Sequence, residues 1–173
     1  MDYKDYIANI PGFPKEGIMF RDVTPILENP AVFKEVTKEI AQFIKSVGAN
    51  KIVGPEARGF WFGIPAALET DLPFEVVRKP GKLPRETISE SYSLEYGTDT
   101  LCMHADAVKQ GDKIVVVDDL LATGGTVEAI VKMIQKQGAQ VVGLAFIVEL
   151  DELNGRAKFG DIPVLSLTHY EGE

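Results

Sequence analysis

The sequence is poor in the residues that most often crosslink a chain or hold a metal: it has one cysteine, Cys102, and two histidines, His104 and His169. A lone thiol cannot close an internal disulfide, and no Cys/His spacing suits a structural zinc, so all three are read as structural. Positive charge is also short. Eighteen Lys and Arg against 26 Asp and Glu leave a net charge of −8, which excludes a general nucleic-acid binder. No stretch approaches the roughly 20 apolar residues of a membrane span. The opening "MDYKDYIANIPGFPKEG" has neither a basic start followed by an apolar run nor an Arg/Ser-rich transit pattern, so a cytoplasmic protein without membrane attachment is expected. Two common phosphate-binding signatures are missing as well, since no GxGxxG occurs and no GK[ST] follows a glycine at Walker spacing.

What is present reads as one domain over residues 1–173, with apolar residues at 45% and charged residues at 25% as in ordinary globular proteins. "NPAVFKEVTKEIAQFIKSVG" predicts a helix: Asn29 caps, Pro30 takes the first helical position and Gly48 follows the end. Val32, Phe33, Val36, Ile40, Phe43, Ile44 and Val47 recur at helical spacing and predict a buried face. Short apolar runs at 51–54, 74–77, 113–118, 141–149 and 164–167 predict strands, with further helices at Arg58 to Glu69 and about Thr123 to Gln137. Strands without polar alternation, separated by helices, imply an α/β fold with a central mostly parallel sheet flanked by helices.

Two segments break this rhythm. Residues 86–104, "ETISESYSLEYGTDTLCMH", are rich in Ser, Thr, Tyr and Glu. They read as a flexible lid hairpin with Glu95, Tyr96 and Gly97 near its tip. "RKPGKLPR" packs four cations, Arg78, Lys79, Lys82 and Arg85, into eight positions, and two prolines and a glycine keep it off a helix. A cationic loop on an acidic protein suits a small polyanion.

The densest chemistry lies in "IVVVDDLLATGGT", residues 114–126. A buried strand ending in Asp118 and Asp119 needs solvent, a cation or hydroxyl donors for its two carboxylates. "VVVDD" alone stands about level between a sugar-phosphate site, a phosphoacceptor receiver site and a magnesium-holding nucleotide site. "ATGGT" tips the balance, because it brings successive backbone N–H groups and two hydroxyls to a helix N-terminus, an anion-binding arrangement. A ligand with adjacent hydroxyls and a nearby phosphate, such as ribose 5-phosphate, satisfies both halves.

With "IPGFPKEGIMFRDVTPIL", "ARGFWFG", "RKPGKLP", "SYSLEYG", "VVVDDLLATGGT" and "VELDELNGR" in this order, the chain resembles the type I phosphoribosyltransferases over nearly its full length. The resemblance implies that family's fold, with a small N-terminal hood over about residues 1–30. It implies a magnesium-dependent reaction in which adenine and phosphoribosyl pyrophosphate give AMP and pyrophosphate, and a homodimer. Asp118 and Asp119 inherit the ribose hydroxyls, and Ala122, Thr123, Gly124, Gly125 and Thr126 the 5′-phosphate. Arg58, Arg78, Lys79 and Lys82 inherit the pyrophosphate, with Arg78 able to reach in from a partner subunit and Tyr96 contributing from the lid. The family's first loop implies a strained or cis peptide at Glu56-Ala57. The base is expected between Phe20 and Leu120, selected by backbone groups around Met19 and by Arg21. Magnesium is expected on the phosphoribosyl pyrophosphate rather than on dedicated protein ligands.

One departure moves the catalytic group. Hypoxanthine-type relatives place an aspartate where Ala122 stands, and alanine cannot titrate. The resemblance therefore assigns acid-base work to Glu95 in the lid, where residue type alone would suggest a solvated turn carboxylate. Two other readings compete. An enzyme for hypoxanthine, guanine or xanthine is opposed by Ala122 and the "FPKEGIMFRD" hood. A phosphoribosyl pyrophosphate-sensing regulator should carry a basic face or a DNA-binding extension.

Overall fold

The computed structural model describes residues 1–94 and 97–172. Its centre is a five-stranded parallel sheet in the order β4-β3-β7-β8-β9. These strands are β3 (Lys51–Pro55), β4 (Phe74–Val77), β7 (Lys113–Leu121), β8 (Gln140–Leu150) and β9 (Val164–Tyr170). Along β7, Ile114 and Val116 enter one core with Ile130, Ile134 and Phe146, whereas Val115 and Val117 enter another with Ile40, Ile44 and Phe62. Burial on both faces explains why the strand shows no polar alternation, and each large side chain so enclosed contributes about 1.5–3 kcal/mol.

Helices cover both faces. The predicted helix is α2 (Pro30–Ser46), preceded by a short α1 (Thr24–Glu28) that the sequence pattern did not announce. The Asn29 side chain caps α2 by accepting from the Val32 N–H at 3.3 Å. α3 (Arg58–Thr70) and α4 (Gly125–Lys136) complete the layers. α3 packs unusually close to the sheet, because an added Cβ at Gly59 would lie 2.9 Å from the Val117 carbonyl oxygen and one at Gly63 would lie 2.5 Å from the Phe74 ring. That close approach sets the first residue of α3, Arg58, over the carboxyl end of β7.

Two antiparallel ribbons stand outside the sheet: β1 (Ala8–Pro11) with β2 (Met19–Asp22), and β5 (Thr87–Leu94) with β6 (Gly97–His104). The first lies within the expected hood and the second is the expected lid hairpin. An isolated bridge between Arg78 and Cys102 joins the end of β4 to β6.

Several expected boundaries shift, β9 among them, which runs to Tyr170 rather than to 167; two of the shifts lie beside the carboxyl end of β7. The strand foreseen at 113–118 runs on to Leu121, because β8 still offers partners there, pairing Leu120 with Val148 and Leu121 with Glu149. The helix foreseen from Thr123 begins at Gly125, because Gly124 at φ 89° is left-handed and turns the chain before the helix starts. No described helix is long and apolar enough to cross a membrane.

Candidate active site

A cleft of about 350 Å³ opens beyond the carboxyl end of β7, where open parallel sheets place their ligands. Asp118 and Asp119, the turn Ala122 to Thr126, Arg58 and Lys79 all line it. The two carboxylates differ in their partners. Asp119 is buried, and its carboxylate meets Arg58 Nε at 3.3 Å. Its backbone N–H donates to Asp118 Oδ1 at 2.8 Å. Burial first, then the negative charge of Asp119, push the Asp118 carboxyl well above its usual range, against the pull of that N–H and of Arg58. Such a pair is relieved by a ligand that donates hydrogen bonds to it.

The turn that follows is built to receive an anion. Left-handed Gly124 occupies the N-cap of α4 and no side chain caps the helix, so the first N–H groups of α4 are left for a ligand. The turn is braced from behind. Lys158 Nζ donates to the Thr123 carbonyl, and Gly155 lies against the main chain of Ala122, Thr123 and Gly124. Sequence patterns gave no role to Lys158 or Gly155, although Gly155 stands in the "LNGR" stretch.

The basic loop is tied down rather than free. The Glu56 carboxylate accepts from Arg78 Nη2 at 3.1 Å and from the Lys79 N–H at 2.8 Å. The bond from Arg78, then that from the Lys79 backbone, hold Glu56 below the usual carboxylate range. The Glu56-Ala57 peptide is cis. Arg78 therefore engages Glu56 of its own chain, and neither Arg78 nor Lys82 lines the cleft. Lys79 does line it, and its ammonium pairs with Asp99 of the lid hairpin. Tyr92, cross-strand neighbour of Asp99, donates its hydroxyl to Asp99 Oδ2 at 3.3 Å and accepts from Thr126 Oγ1 at 3.4 Å. The β5-β6 hairpin thus bridges the basic loop and the turn after β7 through Asp99 and Tyr92, two residues the sequence did not single out. Glu95 and Tyr96 lie outside the described residues.

The expected base site is divided. Phe20 lines a second cavity of about 380 Å³ with Phe13 and Trp61, whereas Leu120 lines the main cleft. Arg58 borders both cavities and brings its guanidinium carbon to 5.6 Å from the Phe20 ring centre. Phe13 packs edge-on against Phe20 at 5.0 Å, leaving a ring face for a planar ligand. Met19 faces a third hollow beside Tyr170, and the Arg21 guanidinium is turned toward that same tyrosine.

Among the described residues, one group of three side chains has metal-ligand geometry: Glu149, Asp151 and His169. It lines a separate surface hollow, and Glu149 is already held by Arg156 and by Ser166 Oγ at 2.7 Å.

Residues 22–170 match the family model of the phosphoribosyl transferase domain. Three solved structures are similar along most of their length. The adenine phosphoribosyltransferase of Thermoanaerobacter pseudethanolicus is 46% identical, with a TM-score of 0.93 over 96% of this chain and 97% of that one. The Saccharomyces cerevisiae enzyme, solved with an imino-altritol bisphosphate and adenine, is 37% identical, with a TM-score of 0.88 over 95% of both chains. The Trypanosoma brucei enzyme, solved with AMP, pyrophosphate and ribose-5-phosphate, is 25% identical, with a TM-score of 0.89 over 96% of this chain and 77% of that one.

Proposed function

The chain belongs to the phosphoribosyltransferase family, and we propose that it transfers the 5-phosphoribosyl group of phosphoribosyl pyrophosphate to adenine, giving AMP and pyrophosphate in purine salvage. The observation that carries this reading is the junction at the end of β7, where the Asp118 carboxyl, pushed above its usual range by burial and by the neighbouring Asp119 charge, adjoins an uncapped helix N-terminus across one cleft. A ribose 5-phosphate supplies hydroxyl donors to the first and an anion to the second. The relatives solved with adenine, AMP and pyrophosphate support the same assignment.

Each residue then has a task. Asp118 and Asp119 hold the ribose hydroxyls, and the turn from Ala122 to Thr126 holds the 5′-phosphate. As the bond from C1′ to pyrophosphate breaks, positive charge grows on the sugar and negative charge on the leaving group. Asp118 and Asp119 lie on the side of the first charge. Arg58 and Lys79 face the second, Lys79 by exchanging Asp99 for a pyrophosphate oxygen, with Arg78 and Lys82 adding positive field from the loop. Adenine approaches between Phe20 and Leu120, beside Arg58. Proton transfer to or from the purine falls to Glu95, with Tyr96 beside it, since Ala122 carries no titratable group.

The carboxylate oxygens of Asp118 and Asp119 in the cleft suit magnesium. An ion carried on substrate phosphates would need at most one or two such protein carboxylates. Magnesium, when bound, offsets pyrophosphate charge. The same reading places the enzyme in the cytoplasm as a homodimer, for which exposed Ile64 and Leu68 on α3 offer an apolar contact.

The test supplies phosphoribosyl pyrophosphate, magnesium and adenine, hypoxanthine, guanine or xanthine in turn, and measures nucleotide formation. AMP from adenine with little product from the others is expected. Preferential turnover of another base, or binding without turnover of any, would overturn the reading.

A further inference from the structure

We infer that Tyr170, at the end of the last sheet strand, is a positioning residue for base recognition: its ring and the main chain just beyond it clamp Arg21, and through Arg21 the hood strand that carries Phe20. The inference rests on the adenine-transfer reading of the site.

The hood is a two-stranded ribbon, β1 with β2, and such a ribbon is marginal by itself in water. Successive residues of a strand point to opposite faces. Phe20 therefore faces the cavity beside Arg58; Arg21 borders that cavity too, but its guanidinium reaches the outer side of the strand, toward Tyr170.

That outer side is where the hood is fastened. The Arg21 guanidinium carbon stands 3.9 Å from the centre of the Tyr170 ring, a close cation–π stack. Arg21 Nη1 donates to Asn9 Oδ1 of the paired strand at 2.6 Å. Its Nη2 donates to the Gly172 carbonyl at 3.3 Å, joining residues 151 positions apart. Lys4 Nζ also lies 4.7 Å from the ring centre. The aromatic face is what these cations use, for the buried Tyr170 hydroxyl has no hydrogen-bond partner among the described residues. One guanidinium thus ties both hood strands to the end of the main sheet, directly behind the residue expected to stack on the base.

A base held against Phe20 depends on where β2 sits, whereas the ribose and phosphate groups are held by β7 and α4, which this clamp does not touch. Loosening it should therefore act on adenine alone.

The test is steady-state AMP formation, with adenine and phosphoribosyl pyrophosphate varied separately. Tyr170→Leu should raise KM for adenine about tenfold, the loss expected for one well-stacked cation–π contact, and leave KM for phosphoribosyl pyrophosphate within about twofold. Tyr170→Phe, which keeps the face and removes only the unpartnered hydroxyl, should restore the wild-type adenine KM. Arg21→Met attacks the clamp from the hood side, should give the same selective defect, and should add little when combined with Tyr170→Leu. An unchanged adenine KM in Tyr170→Leu, an equal rise in both constants, or a Tyr170→Phe variant as impaired as Tyr170→Leu would overturn the inference. Wild-type protein that makes no AMP would overturn the reading beneath it, a separate result.

Discussion

Replacing Gly155 by alanine tests the phosphate turn without replacing any residue that would contact substrate. Gly155 opens a 3-10 turn, Gly155–Phe159, and is buried against the loop that follows β7. An added Cβ would stand 2.4 Å from the Ala122 carbonyl oxygen, 3.1 Å from Leu121 Cδ1 and 3.2 Å from the Thr123 carbonyl carbon. Leu121 can rotate, but the other two are main chain. Contacts under 3.0 Å essentially do not occur for a real Cβ, so Ala122 and Gly155 must part by about 0.6 Å. On the other flank an added Cβ at Gly124 would lie 3.1 Å from the Gly155 carbonyl oxygen, so the displacement passes into the N-cap residue of α4. A misplacement of about 1 Å at a reacting group costs about 10²-fold. On that scale kcat/KM for phosphoribosyl pyrophosphate should fall about 10- to 100-fold. Overpacking should also cost about 1–3 kcal/mol, seen as a Tm lowered by about 2–4 °C per kcal/mol. Steady-state AMP formation at saturating adenine reads the first effect, and thermal unfolding reads the second. Gly160→Ala is the control, for Gly160 at φ 57° has nothing within 4 Å of an added Cβ. It should lower Tm through backbone strain and leave kcat/KM in place. A Gly155→Ala enzyme within twofold of wild type for phosphoribosyl pyrophosphate would refute the reasoning.

Glu95→Gln should lower kcat by about 10²- to 10⁴-fold, the usual contribution of a general acid or base, while KM for phosphoribosyl pyrophosphate changes little; near-normal turnover would remove Glu95 from the mechanism. Asp118→Asn should separate stability from activity. The folded protein holds the Asp118 carboxyl above its ordinary value, so in the folded state it binds its proton more tightly than in the unfolded chain. Ionised Asp118 therefore costs stability as pH rises above the unfolded value of about 4, and the cost persists at neutral pH. The asparagine variant should melt higher than wild type at about pH 7.5, lose that advantage below about pH 4, and make AMP at least about tenfold more slowly. A variant that melts lower at neutral pH would contradict the assignment of a raised Asp118 carboxyl.

The sequence by itself determined the layered α/β architecture and the centre of the candidate site. Apolar runs with no polar alternation can be buried only on both faces, as Ile114 to Val117 are. A carboxylate pair followed, after two leucines, by "ATGGT" places its own chemistry, because the strand end and the helix start are neighbours along the chain. Helix caps such as Asn29 are local too, and were legible for that reason. Only the tertiary structure decided what each charged group meets: Arg78 with Glu56, Lys79 with Asp99, Lys158 with the Thr123 carbonyl, Arg21 with Tyr170 and Gly172. It likewise decided that Phe20 and Leu120 border different cavities with Arg58 common to both, and that Gly155 lies behind the phosphate turn. The reason is physical. Periodicity and capping act over a few residues, whereas these contacts join segments brought together by strand order and helix packing, which no local pattern along the chain encodes.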